Sequence, residues 1–445
     1  SWWLWLGAIS FLGLTLRAIA IDFHSFWYDE AVTAHIAASP ITDILSGVAR
    51  DRGNPPFFWV IIKVWTHFLG HDEVGFRSFS ALVGILTIPL TGLLGRRLIG
   101  PRVGLLAATL LAVSPWSLEL SNEARVYAWF TFLAAFSTLM FLYAIVDQRK
   151  FALPFYVLSL TAAYYSHYYA FALPAIHGLS LPFFSFQKKS WVYWIAATGV
   201  ATLLWLPWVP TFLSQLRLEG NLSRAGGRWI KQFAAIPVIF PLGRTFAWRD
   251  SGILMLGLAM LGSLAAFWYP ATQSYKRFWE KKASGVLLLG WLLIPIVGPF
   301  LAAILYAPIF EARYASFALP AAALVIATGL SALDLKKRTA VGILLILMTG
   351  YSVFNYTTKP LRDDWKNAAR LILDKFHPAE TILFDTDIEV VPFKYYARKY
   401  NDMPNTFYGL ISMPKIDAPI RAVRHEWGGK DRKGVKDHTK ELNRY

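Results

Sequence analysis

Long runs of apolar residues separated by short polar connections fill the chain up to about residue 357. A membrane-spanning helix needs about 20 mostly apolar residues. Eleven stretches reach or approach that length, at residues 2–20, 78–95, 103–120, 126–146, 151–166, 168–187, 190–212, 251–270, 285–306, 314–333 and 339–357. The pattern predicts an all-α polytopic membrane protein with about eleven transmembrane helices.

Two further apolar stretches, 55–70 and 233–248, are interrupted by prolines, and the first also by Lys63. Broken apolar helices of this kind are typical of segments that lie in the membrane interface or re-enter it. We therefore expect both to stay on one side of the membrane, the first of them within the first outer loop.

The last part of the chain, residues 358–445, has a different composition that is rich in charge. Asp364–Phe376 carries apolar residues at helical spacing, Thr381–Phe384 is typical of a strand, and Val390–Tyr400 of another helix. These patterns predict a small α/β domain on the outer surface, following a transmembrane catalytic domain at residues 1–357.

The composition supports the membrane assignment. Only 16% of residues are charged and 56% are hydrophobic, with a mean hydropathy of +0.41, whereas soluble domains average about 25% charged residues. The net charge of +16 could indicate nucleic-acid binding, but the chain lacks a soluble basic domain. Cysteine is absent from the sequence, which excludes disulfides, thiolate metal sites and cysteine nucleophiles.

The connections between the predicted spans indicate an orientation. The loops at 95–102, 147–150, 187–190, 273–282 and 334–338 contain 14 Lys and Arg residues against three acids. By the positive-inside rule they face the cytoplasm, so the N-terminus is cytoplasmic. We expect 2–20 to be a retained span rather than a cleaved signal, because no basic segment precedes it. Segments 21–77 and 213–250 then become outer loops.

The first candidate for chemistry is WYDEA, in which Asp29 and Glu30 follow aromatic residues directly after the first span. An ionised pair at the start of a helix can simply complement the helix dipole. At the membrane edge, however, such charge is costly unless it is hydrated or paired. The other polar clusters of the chain also fall on the same predicted face, which favours a functional role.

Two more clusters stand at outer ends of predicted spans. SNEARVYAWF contains Glu123, Arg125 and Tyr127, which could bind an anion or mark only the boundary of a hairpin. FEARYASFALP contains Arg313 and Tyr314; an arginine at the start of a span can also snorkel to the interface.

The outer loop 213–250 is basic, against the positive-inside trend, and includes Arg228 and Lys231. An anion bound on that side would explain the excess, since Arg matches phosphate geometry. His167, in YYSHYYAF, could hydrogen-bond a substrate or be an ordinary interfacial residue. Zincin, Walker A and dinucleotide-binding motifs are absent from the sequence.

The order of these motifs resembles the GT-C superfamily of polyprenyl-phosphate-sugar glycosyltransferases, in the branch of protein O-mannosyltransferases and lipid A aminoarabinose transferases. The residues that carry the resemblance are WYDEA, GNPPF, GFRSFSALVGILTIPL, GRRLIG and LLAVSPWSLELSNEARVYAWF, within residues 10–150, and RYASFALPA at 313–321. Family members usually have His-Pro-Pro where this chain has Asn54-Pro55-Pro56.

The resemblance implies a membrane glycosyltransferase, in a bacterial inner membrane, with Asp29 as base, Glu30 beside it and Glu123 as second acid. The residues expected to hold the donor phosphate or lipid are Arg17, Arg125, Tyr127, Arg313, Tyr314, Arg228 and Lys231. Tyr28, Asn54 and His167 are expected to contact the acceptor or sugar. The partners would be a polyprenyl-phosphate-sugar donor, membrane lipids and an envelope lipid, glycan or protein acceptor. No cofactor is required, and a divalent Mg²⁺ or Mn²⁺ is optional.

Two other functions compete with this one. A transporter or flippase for a lipid-linked or anionic solute would carry charges near the middle of its spans, where this sequence has few. A non-catalytic envelope assembly factor would leave the DEA and EAR clusters unexplained.

Overall fold

The computed structural model describes most of the chain. The described residues are 1–50, 54–185, 187–219, 228–245, 259–305, 310–359, 362–375, 381–384, 387–400, 407–409 and 420–422. The contacts divide the chain into two units, which are Ser1–Ser25 with Asp29–Leu361, and Phe26–Tyr28 with Arg362–Tyr445.

All regular secondary structure among the described residues of the first unit is helical. Its first helices are α1 (Trp2–Ala20), α2 (Tyr28–Ala38), α3 (Ile41–Arg50), α4 (Phe57–Leu69), α5 (Glu73–Leu98), α6 (Pro101–Val113), α7 (Pro115–Ser121), α8 (Val126–Phe141) and α9 (Ala152–Tyr164). They are followed by α10 (Ala172–Phe184), α11 (Lys188–Trp205), α12 (Val209–Glu219), α13 (Arg228–Leu242), α14 (Tyr269–Gln273), α15 (Tyr275–Glu280), α16 (Lys282–Leu305), α17 (Leu319–Ala332) and α18 (Leu335–Thr358). Short 3₁₀ turns occur at Tyr168–Phe171, Leu206–Trp208, Gly243–Thr245 and Ala312–Ala318, and π-helical turns at Leu142–Val146 and Leu264–Trp268.

The structure confirms a polytopic helical fold but gives a lower count of spans than the eleven expected. Within the described residues, seven helices are long and apolar enough to cross a membrane, at Trp2–Ala20, Glu73–Leu98, Val126–Val146, Lys188–Gln215, Lys282–Leu305, Ala312–Ala332 and Leu335–Thr358. The expected span 103–120 consists of α6 and α7, which are bent by 60° and would make an eighth if they cross as one.

The remaining differences have local causes. Ser114 and Pro115 separate α6 from α7, because the Ser114 hydroxyl accepts a hydrogen bond from the Ser117 N–H and starts a new helix there. The expected spans 151–166 and 168–187 contain the 13-residue helices α9 and α10, each only about 20 Å long. Part of the expected span 251–270 lies outside the described residues.

Burial in this unit follows what a membrane requires. In the most apolar stretch of Ala312–Ala332, 89% is buried inside the protein, whereas the corresponding share in Trp2–Ala20 is only 22%. The exposed side chains of α1 are large and apolar, such as Leu4 and Phe11. Helices α5 and α6 approach closely, since a Cβ on Gly95 would collide with the backbone of Gly104. Helix α7, which follows α6 and carries polar residues of the site, also packs directly against α5.

The second unit contains a parallel three-stranded sheet in the order β2-β1-β3, formed by β1 (Thr381–Phe384), β2 (Phe407–Gly409) and β3 (Ile420–Ala422). Ile382 lies opposite Phe407 on one side and Arg421 on the other. Two helices, α19 (Trp365–Lys375) and α20 (Asp387–Lys399), pack against each other. The helix Trp365–Lys375, the strand Thr381–Phe384 and the helix Asp387–Lys399 lie on the segments 364–376, 381–384 and 390–400 for which the sequence predicts a helix, a strand and a helix, and Phe376 lies outside the described residues.

Candidate active site

Asp29 lies in the first turn of α2 with its carboxylate between two arginines. Its Oδ2 atom is 2.6 Å from a guanidinium nitrogen of Arg313 and 3.9 Å from one of Arg125. Arg125 also donates to the Asp29 backbone carbonyl at 3.3 Å. The Asp29 side chain is 16% exposed. Residues that are about 100 and 284 positions apart in sequence thus surround one partly accessible carboxylate.

The neighbouring Glu30 has a sealed environment. Both its oxygens accept from Arg77 at 2.8 Å, and its Oε1 also accepts from the Ala124 N–H at 2.9 Å. Arg77 donates in addition to the carbonyls of Ile21, His24 and Ser25. The two side chains are 1% and 0% exposed. Glu30, expected at the catalytic centre, therefore connects three segments of chain and is completely buried.

Glu123 forms part of a second acid–arginine cluster. Arg244 pairs with Glu123 and also donates its backbone N–H to Glu119 at 2.8 Å and its Nε to Glu119 at 3.2 Å. Burial lowers the pKa of Arg244, but the two glutamates outweigh this and raise it above its ordinary value. Gly243, at φ +68°, allows this contact, since a Cβ there would collide with Glu119 Oε1.

Three consecutive residues connect these clusters. Glu123 pairs with Arg244, the Ala124 N–H binds Glu30, and Arg125 contacts Asp29. Burial lowers the pKa of Arg125, but Tyr127 and Asp29 together outweigh this effect, so that the pKa is raised above its ordinary value. A small displacement of this turn would alter all three contacts at once.

Aromatic side chains form a wall beside Asp29. The rings of Tyr127 and Tyr314 stack at 6.2 Å, and the Arg313 guanidinium lies over both, at 5.6 Å and 5.7 Å. Arg313 is held from its other side by Glu311, whose carboxylate accepts from Nε at 2.6 Å. Arginine and tyrosine at the start of the 3₁₀ turn thus enter the same site as the acid of α2.

His167 belongs to the same wall. Its ring stacks on Phe130 at 5.1 Å and contacts Tyr314 at 5.0 Å. Burial, together with the charges of Arg313 and Arg125, lowers the pKa of His167 to about 3. Its Nδ1 accepts from the Tyr169 N–H at 3.1 Å, so the neutral ring carries its proton on Nε2. Among the described residues this Nε2 has no hydrogen-bond partner.

The other expected site residues have different surroundings. Arg17 is buried in α1 and donates to the Ser117 and Ser121 hydroxyls and to the carbonyls of Gly13 and Ala112. Its guanidinium therefore joins α1 to α6 and α7, and the expected lipid contact of Arg17 stays a prediction.

The remaining expected contacts are scattered. Lys231 is exposed on α13, and the side chain of Arg228 lies outside the described residues. Tyr28 is half-buried and groups with the second unit. Asn54 is buried at the entry to α4, where the Phe57 N–H donates to the Tyr165 carbonyl at 3.1 Å. The start of α4, three residues after Asn54, therefore contacts the turn that carries His167.

Sequence reasoning missed Arg77 and Glu119 as members of the site, and it identified Arg244 only as one of the basic residues of the outer loop 213–250. Arg77 stands in the quoted motif GFRSFSALVGILTIPL, and Glu119 in LLAVSPWSLELSNEARVYAWF. A charged residue inside an apolar helix is itself a signal, because such a group needs a partner. Within the part of the chain that the structure describes, no group of three or more His, Asp or Glu side chains could hold a metal ion. Asp29, Glu30, Glu119 and Glu123 each contact an arginine.

Comparison with known proteins gives a consistent picture. Residues 53–209 match the family model of the dolichyl-phosphate-mannose-protein mannosyltransferases. An uncharacterized protein of Aquifex aeolicus (strain VF5) is 28% identical over 142 residues. This match covers 32% of the chain and 28% of the relative.

Solved structures match over most of the chain. ArnT from Cupriavidus metallidurans bound to undecaprenyl phosphate has a TM-score of 0.57 at 15% identity, covering 91% of this chain and 85% of that one. Archaeoglobus fulgidus AglB, an oligosaccharyltransferase in complex with an inhibitory peptide and a dolichol-phosphate, has a TM-score of 0.55 at 13% identity. That match covers 89% of this chain and 59% of AglB. The resemblance to the GT-C superfamily is confirmed at the level of the fold.

Proposed function

We propose that the protein is a membrane glycosyltransferase that moves a sugar from a polyprenyl-phosphate carrier to an acceptor hydroxyl or amine. The observation that carries this proposal is the partly exposed carboxylate of Asp29, 2.6 Å from Arg313 and 3.9 Å from Arg125. A base and anion-binding groups next to each other are what a transfer from phosphate needs. The family match at residues 53–209 supports the same chemistry.

The two arginines would bind the donor phosphate. Arg offers a planar set of donors that fits phosphate oxygens. Among the described residues, the buried Nε of Arg125 has no hydrogen-bond partner, so this donor is available to a ligand. The phosphate would compete with Asp29 for Arg125 and Arg313, and this competition would release the Asp29 carboxylate toward the acceptor.

The transfer itself is a single displacement. The acceptor oxygen or nitrogen bonds to the anomeric carbon while the bond from that carbon to the phosphate oxygen breaks. The leaving polyprenyl phosphate keeps the electron pair, stabilised by arginine, and the acceptor's proton passes to Asp29. One displacement at the anomeric carbon inverts its configuration. The sugar is a hexose or a pentose, and the acceptor is an envelope lipid, glycan or protein on the outer face of the membrane.

The aromatic wall fits a sugar. Tyr314, which is partly exposed, would offer a flat aromatic face to the sugar, and the buried Tyr127 and His167 pack against Tyr314 from within the protein. Glu30 and Arg77 would act as positioning residues, because their hydrogen bonds hold the turn that carries Asp29 against the turn that carries Arg125.

The test compares the purified wild type with Asp29→Asn, using a labelled polyprenyl-phosphate hexose or pentose and extracted envelope acceptors. We expect transfer to fall by about 10²–10⁴-fold, the contribution of a positioned base, with little change in thermal stability. Asp22→Asn is the matched control, since Asp22 is an exposed acid in the same loop, and it should transfer like the wild type.

Two results would contradict the proposal. Equal transfer by Asp29→Asn and Asp22→Asn would remove Asp29 as the base. A wild type that transfers no sugar from any donor, yet moves labelled lipid between leaflets, would replace the transferase with a transporter or flippase.

A further inference from the structure

A second polar cavity lies in the first unit, away from Asp29. Its volume is about 550 Å³, within the range of about 300–1,000 Å³ that is typical of ligand pockets. The polar side chains that line it are Arg102, Lys276, Arg277, Glu280 and Ser331. We propose that this cavity binds the phosphate-bearing headgroup of an anionic phospholipid, on the membrane face opposite the candidate active site.

Helix α5 connects the two places. Arg77, near its start, binds Glu30, whereas Ile99, directly after its end, lines the cavity. The intervening residues span about 33 Å along the helix at about 1.5 Å per residue. This length is close to the thickness of the hydrocarbon core, about 30 Å. The cavity therefore lies at the headgroup level of the opposite leaflet.

The walls of the cavity are fixed by specific contacts. Lys281 Nζ donates to the Ile99 carbonyl at 2.9 Å, and the Ser284 hydroxyl donates to the Leu98 carbonyl at 2.9 Å. A Cβ on Gly329 would collide with the Pro270 carbonyl, so α14 approaches α17 closely at this point. These contacts hold the segment with Lys276 and Arg277 next to Arg102.

The charge of the cavity is positive. Arg277 pairs with Glu280 at 3.0 Å on the surface. Arg102 and Lys276 have no ion-pair partner among the described residues. The one acid in the lining, Glu280, is paired with Arg277, so the guanidinium of Arg102 and the ammonium of Lys276 leave the cavity with an excess of positive charge. Basic pockets between transmembrane helices are typical binding sites for anionic lipid headgroups.

Aromatic side chains next to the cavity favour a lipid over a soluble anion. Trp279 is 76% exposed and Tyr275 60% exposed, and Lys282 Nζ lies 5.0 Å from the Trp279 ring. Exposed Trp and Tyr beside basic residues are typical of the membrane interface, where the rings contact the acyl boundary. A lipid would place its phosphate on Arg102 and Lys276 and its acyl chains beside these rings.

The test measures lipid binding by native mass spectrometry of the protein in detergent, titrated with phosphatidylglycerol or phosphatidylcholine. The cavity variant is Arg102→Gln with Lys276→Gln. The control variant is Arg149→Gln with Lys188→Gln, which removes one Arg and one Lys from exposed positions of other basic loops. All four substituted residues are exposed, so folding should be unaffected, and equal size-exclusion profiles verify this.

We expect the wild type and the control to bind a first phosphatidylglycerol in preference to phosphatidylcholine. The cavity variant should bind this lipid about 10- to 30-fold more weakly, from the loss of two surface cations. Equal weakening in the control would overturn the proposal, because general surface charge would then explain the binding. Displacement of the lipid by inorganic phosphate at millimolar concentration would also overturn it and make the cavity a site for soluble phosphate.

Discussion

Asp29 and Glu30 are adjacent in the chain and carry the same charged group, yet their surroundings are opposite. Asp29 shares one oxygen between two arginines and keeps 16% of its side chain exposed. Glu30 is completely buried and accepts from Arg77 through both oxygens. The Ala124 N–H adds a third hydrogen bond to Glu30.

The difference shows that two adjacent residues in one helical turn can have separate roles, one structural and one chemical. A carboxylate that is sealed and fully hydrogen-bonded has no free position for a substrate, and its removal leaves an uncompensated charge. A carboxylate that is partly open and held at one oxygen can exchange its partners. Consecutive residues of a helix point in different directions, so the same sequence motif supplies both.

The largest expected effect comes from breaking the sealed pair. Arg77→Ala would leave Glu30 buried without its cation. It would also remove the hydrogen-bond donor of three backbone carbonyls. Removal of one partner of a buried ion pair costs about 3–5 kcal/mol. We therefore expect a large fall in thermal stability in detergent, and poor recovery of folded protein.

Arg97→Ala, on the same helix, is the control for this change. Arg97 pairs with Asp147 at the surface, with its side chain 40% exposed, and exposed pairs contribute about 0–1 kcal/mol. The double variant Arg77→Met with Glu30→Leu removes both buried charges and should recover part of the lost stability. Equal unfolding temperatures for Arg77→Ala and Arg97→Ala would refute the structural role of the sealed pair.

The sequence predicted the surroundings of Asp29 better than those of Glu30. Asp29, Arg125 and Arg313 were each recognised from a local motif, and their convergence followed from their resemblance to one family and their common membrane face. Arg77 and Glu30 are 47 residues apart, and Glu119 and Arg244 are 125 apart. Pairings at such separations depend on how helices pack, which hydrophobic periodicity does not encode.

The span count has a similar explanation. Hydropathy registers apolar length but not the bend of 60° between α6 and α7. Arg17 also illustrates this limit, since an arginine near the end of a predicted span suggests a lipid contact. Only the packing of α1 against α6 and α7 brings serine hydroxyls to it.

The ion-pair cluster of Arg244 combines a partly exposed arginine with buried carboxylates, and it allows a further test. The Arg244 side chain is 38% exposed, while its partners Glu119 and Glu123 are buried. Gly243→Ala would place a Cβ against Glu119 at φ +68°, a strained conformation that costs about 1–3 kcal/mol. We expect a moderate loss of thermal stability, smaller than that of Arg77→Ala.

Gly199→Ala is the matched control for this prediction. Gly199 lies in α11 with open space around its Cβ position, and Ala is favoured over Gly inside a helix. This variant should be at least as stable as the wild type. A Gly243→Ala protein as stable as Gly199→Ala would mean that the approach of Glu119 to Arg244 needs no glycine.

The last expected effect depends on pH and concerns His167, in the aromatic wall beside Asp29. The pKa of His167 is lowered to about 3 in the folded protein, against about 6.5 in an unfolded chain. Below pH 6.5 His167 therefore binds a proton in the unfolded chain but stays neutral in the folded protein. The free energy of unfolding consequently decreases as the pH falls toward 3. The loss approaches about 1.4 kcal/mol per pH unit well below pH 6.5 and totals about 2 kcal/mol between pH 7 and pH 5.

Other groups titrate in the same range, so the measurement is the difference between the wild type and His167→Gln, whose side chain stays neutral. Unfolding temperatures at pH 7, 6 and 5 should fall more steeply for the wild type, and the two curves should approach each other toward acid. Parallel curves would mean that His167 is accessible to protons in the folded state. His167 would then be exposed to solvent like the carboxylate of Asp29, and not sealed in the protein interior like Tyr127.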